Sequence, residues 1–476
     1  MSDPDERRPH RLVVLSMVVV VVAGVGVLSA VLSVPAVPTT PAEPPAAFTV
    51  APTGAGTSSS FCAAGTGTAA GTTVFLTNTR PRTAHGVMTT TVAGASGSVS
   101  HEQPIDAPPD RTTAVDPGAG LPGGSIASSL AFTGGGVAVN QEVSGAGGWS
   151  MAPCASTVAT QWYFPSGSTA GGNTLTLSLF NPTASPTLAD VTFLTSNGPL
   201  TPQPFQGIVV GPGQLVDEDV GSYAQSLTEA ATVVSVVSGA LVADEFQQWS
   251  GPSTSLSLEL GSIQPSGVWR FAGTTPASGS TVGFDVGNPS SSPVAVTFSA
   301  KLPSATVVPH TLEVAGFSTA SFSPSSTPGW PSGSPVAVTV RANGPVVVGQ
   351  SVIAAAGTPP PGQGLSLGTS SAASEWLVPA PWAAGAPATG VAISIRSLSV
   401  ANAGDSPCRV TISALGRPRP AVNVVIAPGQ LADLARQQIP TGSPYLVTAT
   451  SPVVVDADLV PSAPGVVTQP VFPVSG

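Results

Sequence analysis

The stretch IVVGPGQL at residues 208–215 returns as VVIAPGQL at residues 424–431. Each copy is a short β-branched run entering a turn in which Pro fixes φ and Gly supplies an unusual dihedral. Upstream of each copy, an apolar run ends at an asparagine followed by a turn, at Asn181 and at Asn402. Strand and turn signals that recur in the same order predict a β fold built from repeated units.

Two further copies of this pattern surround Asn78 and Asn288. From the asparagine to the closing strand the chain runs 63 residues in the first two copies (78→141 and 181→244) and 62 in the third (288→350). A period of about 100 residues is the size of a whole domain. Because each copy holds several short strands between turn signals, the sequence predicts an all-β fold of tandem immunoglobulin-like β-sandwich modules.

Two other features recur in the copies. Each copy closes with two β-branched strands separated by turn residues, as in residues 336–340 and 346–348. Trp162, Trp269 and Trp376 lie near the starts of the last three copies, 107 residues apart each time. We expect these indoles to fill a module core or a seam between modules, and a platform for stacking sugars is the alternative.

The N-terminus predicts a membrane anchor. Residues 12–32 carry no charge and follow Arg7, Arg8 and Arg11, and about 20 apolar residues span a bilayer as a helix. The arginines should stay cytoplasmic, which makes this a single-pass plasma-membrane protein with its bulk extracytoplasmic. A cleaved signal peptide, which would give a secreted protein, is the competing interpretation, although its apolar region is usually about 7–15 residues.

We divide the chain into seven predicted segments. They are a cytoplasmic basic arm (1–11), a transmembrane helix (12–32), a Pro/Thr/Ala-rich linker (33–60) and four β modules (61–160, 161–266, 267–373 and 374–476). A Pro-rich linker is semi-rigid. The linker and the tandem modules together suggest a stalk that reaches away from the membrane.

Composition narrows the class of protein. Hydrophobic residues make up 42% of the chain and mean hydropathy is +0.32, so there is enough apolar surface for folded cores. The net charge is −10, and Lys301 is the only lysine. A nucleic-acid or anionic-lipid surface requires clustered basic residues, which are confined here to the short N-terminal arm. Nucleic acid is therefore not expected as a partner.

The three cysteines suggest one disulfide. Cys62 and Cys154 bracket the first module, and an oxidising extracytoplasmic setting favours their pairing. A bridge that closes a loop of about 93 residues would stabilise the fold by roughly 4–5 kcal/mol. Cys408 is left over, and we expect a buried free thiol there, with an intermolecular bridge as the alternative.

No sequence motif predicts catalysis. The histidines outside the basic arm, which holds His10, are His85, His101 and His310, and they have no zinc-type spacing. No G-x-S-x-G elbow occurs. The segment GAGLPG at 118–123 matches a dinucleotide-binding pattern, but its prolines predict a loop. We therefore predict a protein that is not an enzyme, with no catalytic, cofactor-binding or metal-binding residue and no cofactor.

Acidic residues cluster at Asp217-Glu218-Asp219 and at Asp244-Glu245. We expect the first cluster to cap a short helical segment within 220–229, and the second to lie where a strand re-emerges into solvent. A calcium site and a glycosidase carboxylate pair are the alternatives. The fourth copy has acidic residues near the equivalent places, at Asp433, Asp456 and Asp458, and a second helical segment is expected within 430–439.

The basic N-terminus, the linker and modules that close in GPVVV, as at residues 344–348, resemble a group of actinobacterial secreted or membrane-anchored proteins of unknown function. The resemblance covers residues 60–460 and rests on turn and strand patterns. It implies repeated β-sandwich modules, no catalytic residues to carry over, and a place near cell-envelope glycan machinery.

These features predict a non-enzymatic cell-envelope protein whose modules form a binding or scaffolding surface. Its partners are expected among cell-wall glycans or envelope proteins. The alternative is an accessory subunit in cell-surface glycan assembly, which binds glycan or assists a glycosyltransferase. A third hypothesis is a glycan hydrolase that uses the acidic clusters.

Overall fold

The structure is a computed structural model. It describes residues 46–64, 70–93, 98–251, 254–273, 280–302, 307–330, 335–354, 361–385, 389–417, 419–439, 442–465, 467–469 and 471–474. The predicted arm and transmembrane helix, and the linker up to residue 45, lie outside these residues. Within the described residues no helix is both long and apolar enough to cross a bilayer.

The described chain is all-β, as predicted, and its strands fall into four groups that we call modules 1 to 4. Module 1 contains β1 (Thr57–Cys62), β2 (Ala70–Asn78), β3 (Ala84–Ala93), β4 (Val99–Ala107), β5 (Arg111–Val115), β6 (Ser125–Thr133), β7 (Val137–Gly145) and β8 (Gly148–Pro153). Module 2 contains β9 (Gln161–Phe164), β10 (Thr174–Phe180), β11 (Thr187–Thr195), β12 (Gly198–Leu200), β13 (Ile208–Val210), β14 (Leu215–Asp219), β15 (Ala231–Ser238), β16 (Val242–Trp249) and β17 (Ser255–Leu260).

The remaining strands belong to modules 3 and 4. Module 3 contains β18 (Ser266–Phe271), β19 (Ser280–Asn288), β20 (Val294–Lys301), β21 (His310–Val314), β22 (Ser318–Phe322), β23 (Ala337–Ala354) and β24 (Gly362–Leu367). Module 4 contains β25 (Ala373–Val378), β26 (Ile393–Asn402), β27 (Cys408–Ala414), β28 (Val422–Ile426), β29 (Leu431–Ala435), β30 (Tyr445–Pro461), β31 (Val467–Gln469) and β32 (Phe472–Pro473).

All four modules share one topology of two antiparallel sheets. In module 1 the strand orders are β1-β6-β3-β4 and β5-β2-β7-β8. Module 2 repeats them as β9-β15-β11-β13 and β14-β10-β16-β17, with β12 added beside β11. In modules 3 and 4 the sixth and seventh strands merge into β23 and β30, each of which runs from one sheet into the other.

Buried and less buried residues alternate along the strands, so that one face of a strand points into the core. Along β20 the apolar residues Val294, Val296 and Phe298 are buried and their neighbours are not, which is the period of a strand covered on one side. In module 2, Val191 of one sheet and Leu177 of the other belong to a single hydrophobic cluster. The two sheets therefore enclose a common core.

A buried asparagine fixes the same turn in every module. The side-chain amide of Asn181 donates to the carbonyls of Ser185, at 2.8 Å, and Val210, at 2.9 Å, while its Oδ1 accepts the Thr183 N–H at 2.9 Å. The equivalent bonds are made by the other three repeat asparagines, Asn78, Asn288 and Asn402. Each asparagine clamps the turn after the second strand to the end of the fourth strand.

The repeated tryptophans lie in the module cores. Trp162, Trp269 and Trp376 are at most 1% exposed. Each indole N–H donates to a main-chain carbonyl between the sixth and seventh strands, of Leu241, Val346 and Val453 respectively. The core interpretation is confirmed, and the sugar-stacking alternative is wrong because these rings are covered.

The modules close into a ring. The eighth strands β8, β17, β24 and β31 each contact the next, and β31 contacts β8. One main-chain N–H crosses each of these four junctions, and the bonds are Leu258 N to Ser150 Oγ (2.8 Å), Gln363 N to Ser255 Oγ (2.7 Å), Gly465 N to Pro361 O (3.1 Å) and Trp149 N to Pro464 O (2.8 Å). Module 4 therefore packs against module 1.

The two ends of the described chain complete this closure. Val50 forms a parallel bridge with Val474, and its N–H donates to the Pro473 carbonyl at 3.1 Å. The Phe48 and Phe472 rings meet edge to face, with centroids 5.5 Å apart. The predicted linker is therefore wrong for residues 46–60, which are part of the ring and include the start of β1 at Thr57.

Two expectations need correction. An extended stalk is wrong for the described residues, because they form one compact unit in which the first and last modules touch. The expected helical segments shrink to 3-10 turns at Val220–Ser222 and Arg436–Gln438. In the second, strand β29 occupies Leu431–Ala435, where helix was expected.

Candidate functional site

Hydrogen bonds to acidic side chains join the modules at their seams. The carboxylate of Asp244 in module 2 accepts the Ala63 N–H of module 1 at 3.0 Å. Asp456 in module 4 accepts the Ala272 N–H of module 3 at 2.6 Å. Both donors directly follow the first strand of their module, so the two seams are built alike.

The other two seams follow the same plan with different residues. At the equivalent site of module 3 the seventh strand has a glycine, and Asp285 on the paired second strand accepts the Ser166 hydroxyl of module 2 at 2.7 Å. At the closing seam Thr389 of module 4 donates to Glu142 of module 1 at 2.8 Å. Every seam therefore contains at least one buried or half-buried carboxyl group.

The placement of Asp244 and Glu245 at a solvated strand end is wrong. Asp244 is 0% exposed and Glu245 is 2% exposed, because β17 and the end of β1 cover this part of β16. Gln141 also donates to the Asp244 carboxylate. Burial, only partly offset by these two donors, raises the pKa of Asp244 to about 7.

Four carboxyls form a row across the seam between modules 2 and 3. Glu245 on β16 lies directly opposite Glu259 on β17 in the antiparallel ladder. Electrostatic coupling continues from Glu259 to Asp285 and from Asp285 to Glu229, which is half-buried in the loop before β15. We call Glu245, Glu259, Asp285 and Glu229 the carboxyl row.

The row favours protonated carboxyls. Burial, reinforced by Asp285, raises the pKa of Glu259 to about 8, and burial with the neighbouring Glu229 raises that of Asp285 to about 7. Burial and the facing Glu259 raise the pKa of Glu245 well above its usual value. Glu245 and Glu259 are both buried and lie opposite each other, so they cannot both ionise without a large free-energy cost.

A cavity of about 110 Å³ lies where the modules meet. Its wall includes Met151, Leu260, Gln350 and Asp456, one residue from each module, together with Phe48 from the N-terminal segment. Glu259 also contributes to the wall, but both its carboxyl oxygens are sealed from water-sized space and have no hydrogen-bond partner. The cavity therefore does not hydrate the Glu259 carboxyl.

The predicted disulfide is confirmed. Cys62 and Cys154 are bonded, and they join the end of β1 to the residue after β8. Cys408 is a buried free thiol, as expected.

The histidines do not assemble into a catalytic group with the other candidates. His85 Nδ1 lies 2.7 Å from Asp106 Oδ1, but both side chains are mostly exposed, at 74% and 67%. His310 stacks on Phe322 in module 3, and His101 lies on β4. In the described part of the chain, no group of three or more His, Cys, Asp or Glu side chains is arranged to hold a metal ion.

Two other sequence expectations are confirmed. Asp219 caps the turn behind it, accepting the Gly221 N–H at 3.0 Å and the Ser222 hydroxyl at 2.7 Å. The GAGLPG segment is a loop between strands β5 and β6, and the Gly118 N–H donates to Asp116. No helix follows that segment, so the phosphate-binding context is missing there.

Sequence reasoning missed Glu259, Asp285 and Glu142. Each is an acidic residue inside a strand, and Glu259 alternates with Leu258 and Leu260. That alternation is typical of a strand with one wet face, whereas a neighbouring module covers the polar face here. An acidic residue surrounded by apolar strand residues was the available signal.

The fold and its site define a closed ring of four two-sheet β modules with carboxyl-lined seams. Residues 129–250, which run from within β6 of module 1 to the end of β16 in module 2, match a family model described as a family of unknown function (DUF5719). No curated protein matches the chain.

Two solved structures are similar to parts of the chain at low scores. One is described as Thermotoga maritima 1070, with 15% identity and a TM-score of 0.21, covering 22% of this chain and 94% of the other. The second is a tetra-tandem repeat from the extending region of a large adhesion protein, with 11% identity, a TM-score of 0.11, and coverage of 88% and 99%. Neither similarity carries an argument about fold or function.

Proposed function

We propose that this protein is a non-enzymatic cell-envelope scaffold, held at the plasma membrane by residues 12–32, whose ring of immunoglobulin-like β-sandwich modules presents a binding surface outside the cytoplasm. The ring closure is the observation that carries the proposal. Hydrogen bonds across four seams and between the chain ends hold the outer surfaces of the modules in fixed relative positions. Fixed positions are what a scaffold needs to bring partners together.

The alternative is an accessory subunit in cell-surface glycan assembly that binds glycan or accompanies a glycosyltransferase. The central cavity favours it, because part of the wall is polar and includes Arg270, Ser370 and Asp456. A glycan hydrolase that uses Asp244 and Glu245 has less support. Asp244 Oδ1 and Glu245 Oε1 are sealed from solvent, and a substrate would have to displace a module to reach them.

The two leading functions predict different binding partners for the full chain. The chain is purified from its membrane in mild detergent, and its partners are identified by mass spectrometry. A portion is also incubated with wall polysaccharide. Envelope proteins that co-purify, without polysaccharide binding, support the scaffold. Polysaccharide binding, or a co-purified glycosyltransferase, supports the accessory role instead.

The Asp244→Asn, Glu245→Gln double variant serves as the control for enzymatic activity. If the wild-type chain cleaves wall glycan and the double variant does not, the non-enzymatic proposal is wrong. For the anchor, the N-terminus of the mature protein is sequenced. A start near residue 37 would replace the anchored form with a secreted one.

A further inference from the structure

We propose that the seam between modules 2 and 3 is a pH-sensitive latch, closed while the carboxyl row holds protons and opened when rising pH ionises it. The row joins two modules through groups that ordinarily repel each other. Glu245, Glu259 and Glu229 belong to module 2 and Asp285 belongs to module 3. Whether that seam stays shut therefore depends on the charge of the row.

The neighbours of the row are hydroxyls. Thr232 donates to Glu245 at 3.0 Å, Ser166 donates to Asp285 at 2.7 Å, and Ser321 donates to Glu229 at 3.1 Å. Hydroxyls serve protonated and ionised carboxyls alike, since they both donate and accept. Glu259 has no partner for either oxygen, although it lies in the middle of the row.

Other charges on the packed elements do not neutralise the row. Arg270 on β18 shares the cavity wall with Glu259, and its guanidinium donates to the Ser370 carbonyl at 3.2 Å. Arg341 is exposed in the first half of β23, away from the end that pairs with β19. Asp244, next to Glu245, adds a further acid. The two ion pairs seen among the described residues, His85–Asp106 and Arg396–Asp458, lie elsewhere.

The acids of the other three seams, Asp244, Asp456 and Glu142, each accept two hydrogen bonds. Asp456 receives two main-chain N–H groups, from Ala272 and Gly273. Glu142 receives the indole N–H of Trp149 at 2.7 Å as well as the Thr389 hydroxyl. Donors aimed at a carboxylate stabilise its ionised form. The seam between modules 2 and 3 has a carboxyl without donors and like-charged neighbours, so it should open first.

The sign of the effect follows from the neutral form being favoured in the closed seam. An acid whose pKa is raised by burial stabilises the closed state at low pH and loses that contribution as pH rises towards the raised pKa. The row has raised values of about 7 and 8 at Asp285 and Glu259. The latch is therefore closed in acid and opens between neutral and mildly alkaline pH.

The test is native-state hydrogen exchange of the full chain, followed by mass spectrometry from pH 6 to pH 9. Each measured amide exchange rate is divided by the intrinsic chemical exchange rate at the same pH. The ratio then reports only how often the structure opens. Residues 164–168 and 283–287 report the latch, and residues 270–273 report the seam between modules 3 and 4. We expect opening at the latch to rise about tenfold or more over this range, as one or more pKa units of coupling would produce, and to precede opening at 270–273.

Two variants test the assignment. Glu259→Gln should flatten the rise at the latch, because the central acid of the row can no longer ionise. Glu313→Gln, an exposed acid on β21 of the same module pair, should leave it unchanged. A wild-type latch whose opening does not rise with pH contradicts the proposal even if the variants do not fold. An undiminished rise in a folded Glu259→Gln chain contradicts it as well.

Discussion

The repeated asparagine shows that a single side chain can fix the geometry of a turn. The sequence marks Asn78, Asn181, Asn288 and Asn402 as the ends of strands, and the structure confirms that role for all four. Their burial was not predictable, because a turn asparagine is usually at the surface. What the sequence could not reveal is that each side chain donates to carbonyls from both the turn and the end of the fourth strand.

Replacing Asn181 by Ala should destabilise the fold by about 3 kcal/mol, because buried carbonyls and an N–H would lose their partner. Asn197→Ala is the matched control. That residue is exposed in a turn, and its main-chain N–H, which donates to Thr195, is retained. Urea unfolding measures both variants, and equal stability for the two would refute the clamp.

Among individual residues, the burial of the acidic side chains was the hardest property to predict from the sequence. Asp244 and Glu245 follow an apolar strand, and from one module alone such a position looks solvated. The physical reason for the error is that another module supplies the cover, and no local pattern reports that.

Buried acids give stability a definite pH dependence. The pKa is raised to about 6 at Asp456, about 7 at Asp244 and Asp285, and about 8 at Glu259, all above ordinary unfolded values. Their contribution is complete below about pH 4 and is lost as the pH rises through the raised values. The thermal unfolding midpoint should therefore fall between pH 5 and pH 8. Calorimetry checks this, and a midpoint that is constant or rises over that range would contradict the burial of these groups.

The presence of the strands was predicted better than the sheets in which they pair. Alternation and turn residues identified an all-β chain with repeated strands. They also suggested that residues 336–340 and 346–348 are two strands separated by a turn. Residues 337–340 and 346–348 instead belong to one strand, β23, whose halves lie in different sheets. Asn343 and Gly344 lie inside that strand. These turn-forming residues mark the point where the chain passes from one sheet to the other.

The disulfide is an element-scale constraint on module 1. It joins residues 92 apart in sequence, and a link of that length should contribute about 4–5 kcal/mol. Changing both Cys62 and Cys154 to Ser should lower the urea midpoint accordingly. Cys408→Ser, which keeps the bridge, is the control and should cost less. If the bridge variant were as stable as the control, the disulfide would not constrain the fold.

The whole molecule is where sequence reasoning fell short. Repeats predict modules, but tandem modules can form a string or a ring with the same local patterns. The decisive contacts join residues far apart in the chain, such as Thr389 with Glu142 and Val50 with Val474. A single sequence offers no periodic signal for them.

Ring closure is tested most directly by a cross-link between modules 1 and 4. A Cβ at Gly71 would lie 3.5 Å from Thr389 Cγ2, although these residues are 318 apart in sequence (389 − 71). The Gly71→Cys, Thr389→Cys chain is made in a Cys408→Ser background and oxidised, and the linked peptides are identified by mass spectrometry. Gly71→Cys with Gly251→Cys is the control, because a Cβ at Gly251 meets nothing within 4 Å. A closed ring predicts an intramolecular disulfide in the first pair alone, whereas no link, or only links between chains, would contradict it.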